Sequence, residues 1–150
     1  MTTEEIKRSQ MMRAFNLGDT NLLISCLDDL GGIPDLELLR EPETGLIMVR
    51  GRLGGTGAPF NLGEMLVTRC TVTLEGHIGH GFKLGDDPQG AFLAAAADAM
   101  SQCEFLSQSL EEIASILEND LKQRTKLEAL ETSQTKVDFF TLVRGEDNAS

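Results

Sequence analysis

A glycine-rich segment with an arginine shortly before it is the first candidate for chemistry in this sequence. Three glycines lie within four positions, Gly54-Gly55-Thr56-Gly57. Backbone amides of such a loop can form a nest that binds an anion, and guanidinium groups add charge and donors. The segment lacks the lysine and hydroxyl of a P-loop and does not match G-x-G-x-x-G. The residues of this candidate anion-binding site are Arg52, Gly54, Gly55, Thr56, Gly57 and Arg69.

The alternative interpretation of this segment is structural. Glycines also occur where a tight turn joins two strands, or where two backbones approach closely at a subunit contact. Both interpretations stay open at the level of sequence.

The remaining reactive side chains form no catalytic pattern. His77 and His80 are three residues apart, and on a strand this spacing places them on opposite faces. A nucleophile motif such as G-x-S-x-G is absent. The acidic pairs lie at predicted helix ends, where capping and the helix dipole explain them. We therefore predict no catalytic residue, no metal site and no cofactor bound by this chain alone.

Length and composition narrow the class of protein. The 150 residues predict one domain, and a net charge of −11 argues against binding to nucleic acid or to an anionic membrane. The three cysteines are far apart and form no C-x-x-C pair, so we expect free thiols in a reducing compartment. No signal peptide or apolar run of about 20 residues is apparent. We expect a cytoplasmic location.

The pattern of apolar residues predicts an α+β fold. Two short helices that end at Gly18 and at Gly31-Gly32 predict an N-terminal helical hairpin. Alternating segments with short connections predict a four-stranded, mostly antiparallel sheet. The four strands are Leu36–Arg40, Leu46–Leu53, Met65–Leu74 and Ile78–Leu84, with a turn over residues 41–45. Long helices are predicted from Pro88 to about Leu106 and from Ser109 to about Thr132.

The C-terminal segment is unusual because it is strongly apolar. Residues 132–150 contain the run Lys136 to Gly145, and such a tail either returns to the core or docks on a partner. Phe60, directly after the glycine-rich loop, is a second candidate for a partner contact. The predicted interface residues are Phe60, Val137, Phe139, Phe140, Leu142, Val143 and Arg144.

Several segments together resemble the PhnG family, the G subunits of bacterial carbon–phosphorus lyase core complexes. They are Glu43 to Leu46, Gly54 to Phe60, Leu66 to Arg69, the Gly79-His80 and Leu84-Gly85 elements, and Val137 to Gly145. The resemblance covers most of residues 10 to 147. The sequence departs from the family after Gly85: Asp86-Asp87-Pro88-Gln89 stands in place of a basic run, which argues against anion binding by that loop.

The resemblance implies a function. Family members assemble with PhnI, PhnH and PhnJ subunits. With PhnI, PhnH and a PhnL protein they take part in exchanging the adenine of ATP for a phosphonate. This is the reaction of an alpha-D-ribose 1-methylphosphonate 5-triphosphate synthase. The adenine-releasing chemistry belongs to the I subunit, so this chain is expected to be an accessory subunit, inactive alone, with ATP as a substrate of the complex.

Two other functions remain as alternatives to the accessory subunit. The glycine-rich loop with Arg52 or Arg69 could contribute a phosphate-binding element directly to the active site. The chain could also be a free-standing small-molecule binding protein. Nucleotide binding by the isolated chain would indicate that third function.

Overall fold

Two short helices begin the chain, and each starts at a side-chain cap. The structure, a computed structural model, describes residues 2–52 and 57–149, with only the helical backbone over 131–149. Helix α1 spans Thr3–Leu17, and a capping box joins Thr2 and Glu5 at its start. Helix α2 spans Thr20–Asp29, and the Asp19 carboxylate accepts from the backbone N–H of Leu22 at 3.1 Å. The two predicted N-terminal helices are confirmed.

Three antiparallel strands follow in the spatial order β1-β2-β3. Strand β1 spans Glu37–Arg52, β2 spans Pro59–Leu74 and β3 spans His77–Leu84. Glu75 and Gly76 connect β2 to β3 with φ values of 50° and 83°. Positive φ at both central positions is the geometry that lets a two-residue turn follow the twist of a hairpin.

The prediction of four strands is wrong, because the first two predicted strands form a single strand, β1. Residues 41–45 do not form a turn but continue β1, with register shifts at Leu38/Arg40 and at Arg40/Glu43. An extra residue in one strand of a pair forms a bulge, which absorbs turn-forming residues without ending the ladder. Pro42 is tolerated because β1 lies at the edge of the sheet.

Helix α3 spans Pro88–Ser101 and begins at the predicted cap. The Asp87 carboxylate accepts from the backbone N–H of Gly90 at 2.9 Å. The helix ends five residues before the predicted Leu106. Its neighbour α4 spans Ser107–Ala149, so the helix continues through the segment predicted as a separate tail. No proline and no glycine before Gly145 interrupts this stretch.

The core lies between one face of the sheet and the four helices. Helix α3 is alanine-rich, and these small side chains allow it to lie directly on β2 and β3. A Cβ added at Gly81 would meet the backbone nitrogen of Ala95 at 2.6 Å. The large buried side chains include Phe15, Leu23, Leu27, Val72, Met100, Leu110 and Leu117.

Helix α4 changes character along its length. Leu110, Ile113 and Leu117 are buried in the core, whereas Leu127 is 61% exposed. Within residues 107–130, the helix therefore packs on the domain by its first turns, and the side chains of residues 122–130 are exposed. No helix in the described ranges is both long enough and apolar enough to cross a membrane.

Candidate functional site

A row of polar side chains crosses the sheet on the face turned away from α3. Arg40 on β1, Thr71 on β2 and His80 on β3 are register partners, so they lie side by side on one face. The hydroxyl of Thr71 lies 3.5 Å from Nδ1 of His80. Arg69, two residues from Thr71, occupies the next position on the same face. These four side chains line a shallow cavity of about 480 Å³ together with Leu39 and Phe82.

This row of side chains carries positive charge, although the net charge of the chain is −11. Arg40 and Arg69 are exposed, and neither forms an ion pair within the described residues. Glu43 is the register partner of Arg69 on β1 and places one negative charge beside the pair. Two guanidinium groups with a hydroxyl and an imidazole provide donors suited to an oxyanion such as a phosphate or a phosphonate.

Arg52 lies at the other end of the sheet. Its guanidinium donates to the backbone carbonyl of Gly57 at 3.2 Å, and its register partner is Pro59. Ten residues of β2 separate Pro59 from Arg69, a distance of roughly 30 Å along a strand. The structure therefore does not bring Arg52 and Arg69 together. Gly54, Gly55 and Thr56 of the predicted site lie outside the described residues.

A buried carboxylate accepts a hydrogen bond from the backbone N–H of His80. Asp98 of α3 is 1% exposed and accepts from Nε and Nη2 of Arg8 at 3.2 and 3.1 Å. Its Oδ2 also accepts from the backbone N–H of His80 at 2.9 Å. The hydrogen bond to Asp98 raises the pKa of Arg8 above its ordinary value. Arg8 and Asp98 thus fix the position of β3 on which His80 is carried.

In the loop after β3, the side chains of Asp86 and Asp87 accept hydrogen bonds from other elements of the fold. Asp86 accepts from the hydroxyl of Thr44 at 2.7 Å, and Asp87 accepts from the hydroxyl of Thr20 at 2.8 Å. Both acids hold elements of the fold together.

The second candidate surface is an apolar arm, which we define as residues 44–52 of β1 and 59–66 of β2. Here β2 pairs only with β1, because β3 pairs with residues 67–74. Leu46 and Leu66 are register partners on one face, and Ile47 and Met65 are partners on the other. All four are exposed. The arm is a two-stranded ribbon with apolar side chains on both faces.

Phe60 belongs to this arm. It is exposed, and its ring would lie 3.1 Å from a Cβ at Gly51, so it covers the glycine of the neighbouring strand. The predicted contact residues of the tail are part of α4. The side chains of Val137, Phe139, Phe140, Leu142, Val143 and Arg144 lie outside the described part of the chain.

The described residues contain no group of three histidine, cysteine or acidic side chains that could hold a metal ion. His77 is half-buried and His80 is exposed. Cys70 and Cys103 are buried, and burial raises the pKa of both thiols. A buried thiol with a raised pKa is a poor nucleophile.

Sequence reasoning missed the row of Arg40, Thr71 and His80 as a unit. The alternation of β3 correctly placed His80 with Ile78 and Phe82 on one face. Arg40 could not be assigned to this row, because the predicted turn over residues 41–45 ended its strand at that residue. In the structure, residues 41–45 continue β1. Only the bulged register of β1 aligns Arg40 with Thr71.

Comparison with known proteins gives one family. The profile of the family described as phosphonate metabolism protein PhnG matches residues 6–145. A relative from Rhizobium meliloti (strain 1021) is 44% identical over 139 residues, which is 92% of this chain and 87% of the relative. That relative is named alpha-D-ribose 1-methylphosphonate 5-triphosphate synthase subunit PhnG.

Proposed function

The chain belongs to the PhnG family of phosphonate metabolism proteins, and on this premise we propose that it is a structural subunit of an alpha-D-ribose 1-methylphosphonate 5-triphosphate synthase. In this role the chain contributes surface and position to the complex. The reaction exchanges the adenine of ATP for a phosphonate at an active site supplied by another subunit.

The observation that carries this proposal is the exposed apolar arm. Leu46 and Leu62 are 62% and 63% exposed, and Met48 and Leu66 lie on the same ribbon. Soluble monomers rarely expose a contiguous apolar patch of this kind, whereas subunits of permanent complexes do. A two-stranded ribbon is also only marginally stable alone in water, so it needs a further surface against which to pack.

The proposal includes named partners and a location. PhnI, PhnH and PhnJ subunits are the proposed partners, with a PhnL protein in the synthase reaction, and the location is the cytoplasm. Beyond the arm itself, the partner surface includes Phe60 and the C-terminal part of α4. The α4 residues of this proposal are Val137, Phe139, Phe140, Leu142, Val143 and Arg144.

Co-expression tests the proposal directly. The tagged chain is produced with and without PhnI and PhnH from the same organism, and mass is measured during size-exclusion chromatography. We expect a stable hetero-oligomer that, with PhnL, releases adenine from ATP in the presence of methylphosphonate, whereas the chain alone releases none. A monodisperse chain that does not bind these proteins, or an active chain alone, would contradict the proposal.

A second candidate function is a direct contact with the substrate. The gathering of Arg40, Arg69 and His80 around one cavity favours it, because all three carry donors that suit a phosphate or phosphonate oxygen. The predicted contribution of Arg52 and Gly57 belongs to a separate position at the end of the arm. In the assembled synthase, the two positions are distinguishable by substitution.

A further inference from the structure

The two edges of the sheet differ in their hydrogen bonds, and side chains cover the outer edge of β3. The backbone N–H of His80 donates to Asp98, and the N–H of Phe82 donates to the side chain of Asn16 at 2.9 Å. The carbonyl of Ile78 accepts from Gln102 at 2.7 Å and from Arg8. Side chains of α1 and α3, with Gln102 directly after α3, thus occupy one outward backbone group at each of three successive outward-facing positions of β3. A strand from another molecule cannot pair there without displacing them.

Among the residues that the structure describes, no comparable cover lies on the edge of β1. Over residues 37–52, the backbone hydrogen bonds of the described chain all go to β2, and no side chain caps the outer edge. This strand is 16 residues long and contains the uncharged run Leu46-Ile47-Met48-Val49. A long apolar edge with free amides and carbonyls is a template for pairing with another strand.

The hydrogen-bond pattern identifies the groups that point outward. Outward-facing positions alternate along antiparallel strands, and on β3 they are residues 78, 80 and 82. Positions 79, 81 and 83 therefore bond to their register partners 72, 70 and 68 of β2. The intervening positions of β2 bond to β1, and they include Val67 and Met65, the partners of Gly45 and Ile47. Leu46 and Met48 consequently present their amides and carbonyls to the free edge.

From this asymmetry we infer that the outer edge of β1 is where another polypeptide of the synthase adds a strand to the sheet. The inference rests on the proposed function as a synthase subunit. The added segment is extended and apolar on both faces, because Leu46 and Met48 project from one face of β1 and Ile47 from the other. Main-chain hydrogen bonds to Leu46 and Met48 supply affinity, and the neighbouring apolar side chains supply specificity.

Amide hydrogen exchange resolved to single residues tests this inference on the wild-type chain. In the isolated chain we expect the amides of Leu46 and Met48 to exchange fast, and those of Gly45 and Ile47 to exchange more slowly because they pair with β2. In the complex with PhnI and PhnH, we expect Leu46 and Met48 to become protected at least about tenfold, with little change at Gly45 and Ile47.

A proline substitution provides an independent test. Met48→Pro removes an outward N–H without removing a bond to β2, which proline tolerates at an edge. Met48→Ala is the matched control, because it shortens the same side chain and keeps the N–H. We expect Met48→Pro to bind the partner at least about tenfold more weakly than Met48→Ala, since the proline variant loses a hydrogen bond and its ring hinders the incoming strand. Urea unfolding of both isolated variants checks that they fold.

The outcomes separate this inference from the proposed function. A complex that forms while Leu46 and Met48 exchange as in the isolated chain overturns strand addition and leaves the subunit function intact. Failure of any complex to form overturns both. Protection of these two amides in the isolated chain through a homodimer also overturns the inference, because the edge would then pair with a second copy.

Discussion

The guanidinium of Arg8 on α1 and the carboxylate of Asp98 on α3 form a two-point contact, with Nε–Oδ1 and Nη2–Oδ2 distances of 3.2 and 3.1 Å. The two residues are 90 positions apart in the chain. Asp98 also accepts the N–H of His80, so a single buried carboxylate joins two helices to the edge of the sheet. This contact closes one edge of the sheet and fixes the strand that carries His80.

Replacement of Arg8 with methionine should destabilise the fold, because Asp98 would remain buried without its cation. We expect a loss of about 2 kcal/mol, less than for a fully buried pair because Arg8 is itself partly exposed. Arg13→Met is the matched control: it removes an exposed ion pair with Glu118 and should cost at most about 0.5 kcal/mol. Urea unfolding at pH 7 measures both, and equal losses would contradict the role of Asp98.

Replacement of Gly81 with alanine should be far more damaging than the same change at Gly45. An added Cβ at Gly81 meets the backbone of α3 at Ala91 and Ala95, so helix and sheet must separate at a cost of about 3 kcal/mol or more. At Gly45 nothing lies within 4 Å of the added atom, and the change should stay within about 0.5 kcal/mol. Thermal or urea unfolding of the two variants distinguishes them; similar stabilities would mean that α3 does not lie this close to β3.

The contribution of Lys83 to stability should rise with pH in the alkaline range. Its ammonium is buried and donates to the carbonyl of Gly18 at 2.8 Å, and burial lowers its pKa from 10.5 although Asp87 and Asp19 oppose the shift. Between the lowered pKa and 10.5 the unfolded chain binds more protons than the folded chain, so the free energy of unfolding increases with pH.

Comparison with Lys83→Met isolates this contribution. The free energy of unfolding is measured in urea at several pH values from 7 to 10.5 for both proteins, so that contributions from the cysteines cancel in the difference. We expect the wild type to gain stability relative to the variant across the upper part of this range. A difference that stays constant with pH would show that the ammonium is not desolvated.

The two arginine positions predict different effects on the assembled synthase. If the open face of the sheet contacts a phosphate or phosphonate, Arg69→Gln and Arg40→Gln should each raise the KM for ATP or methylphosphonate by about tenfold, the worth of one charged hydrogen bond. Arg52→Gln is the matched control at the end of the arm and should leave KM within about twofold.

Assembly must be checked for each arginine variant by size-exclusion chromatography. Loss of activity in Arg52→Gln with intact assembly would place the substrate contact at Arg52 and Gly57. Unchanged kinetics in all three variants would remove the substrate-binding function and leave the structural one.

A substitution on the arm should weaken binding to the partner subunits while it leaves the stability of the isolated chain almost unchanged. Leu46→Ser should change the stability of the isolated chain by less than about 1 kcal/mol, because the side chain is already mostly exposed. It should weaken binding to the partner subunits by about tenfold or more, the usual effect of truncating a buried interface anchor. Ile6→Ser on α1, 45% exposed, is the control and should bind normally. Equal binding by the two variants would exclude the arm from the interface.

Local features of the fold could be predicted from sequence because each depends on a few neighbouring residues. The cap at Asp87, the stop at Gly31-Gly32 and the alternation of β3 are such features, and all three are confirmed. The turn predicted over residues 41–45 was wrong because Pro42 and Gly45 have the same local preference in a turn and in a bulged edge strand. Pairing with residues of β2 that lie 22 to 26 positions further along the chain decided between them.

The sequence by itself determined the α+β class, the approximate bounds of most elements and, through its motifs, membership of the PhnG family. These follow from periodicity, capping and residue types, which act over a few positions. Only the tertiary structure decided that Arg69 lies beside Arg40 and His80 and away from Arg52. It alone showed that side chains cover the edge of β3, whereas none of the described residues caps the edge of β1. The physical reason is register: strand pairing and helix packing bring together residues whose separation along the chain carries no local signal.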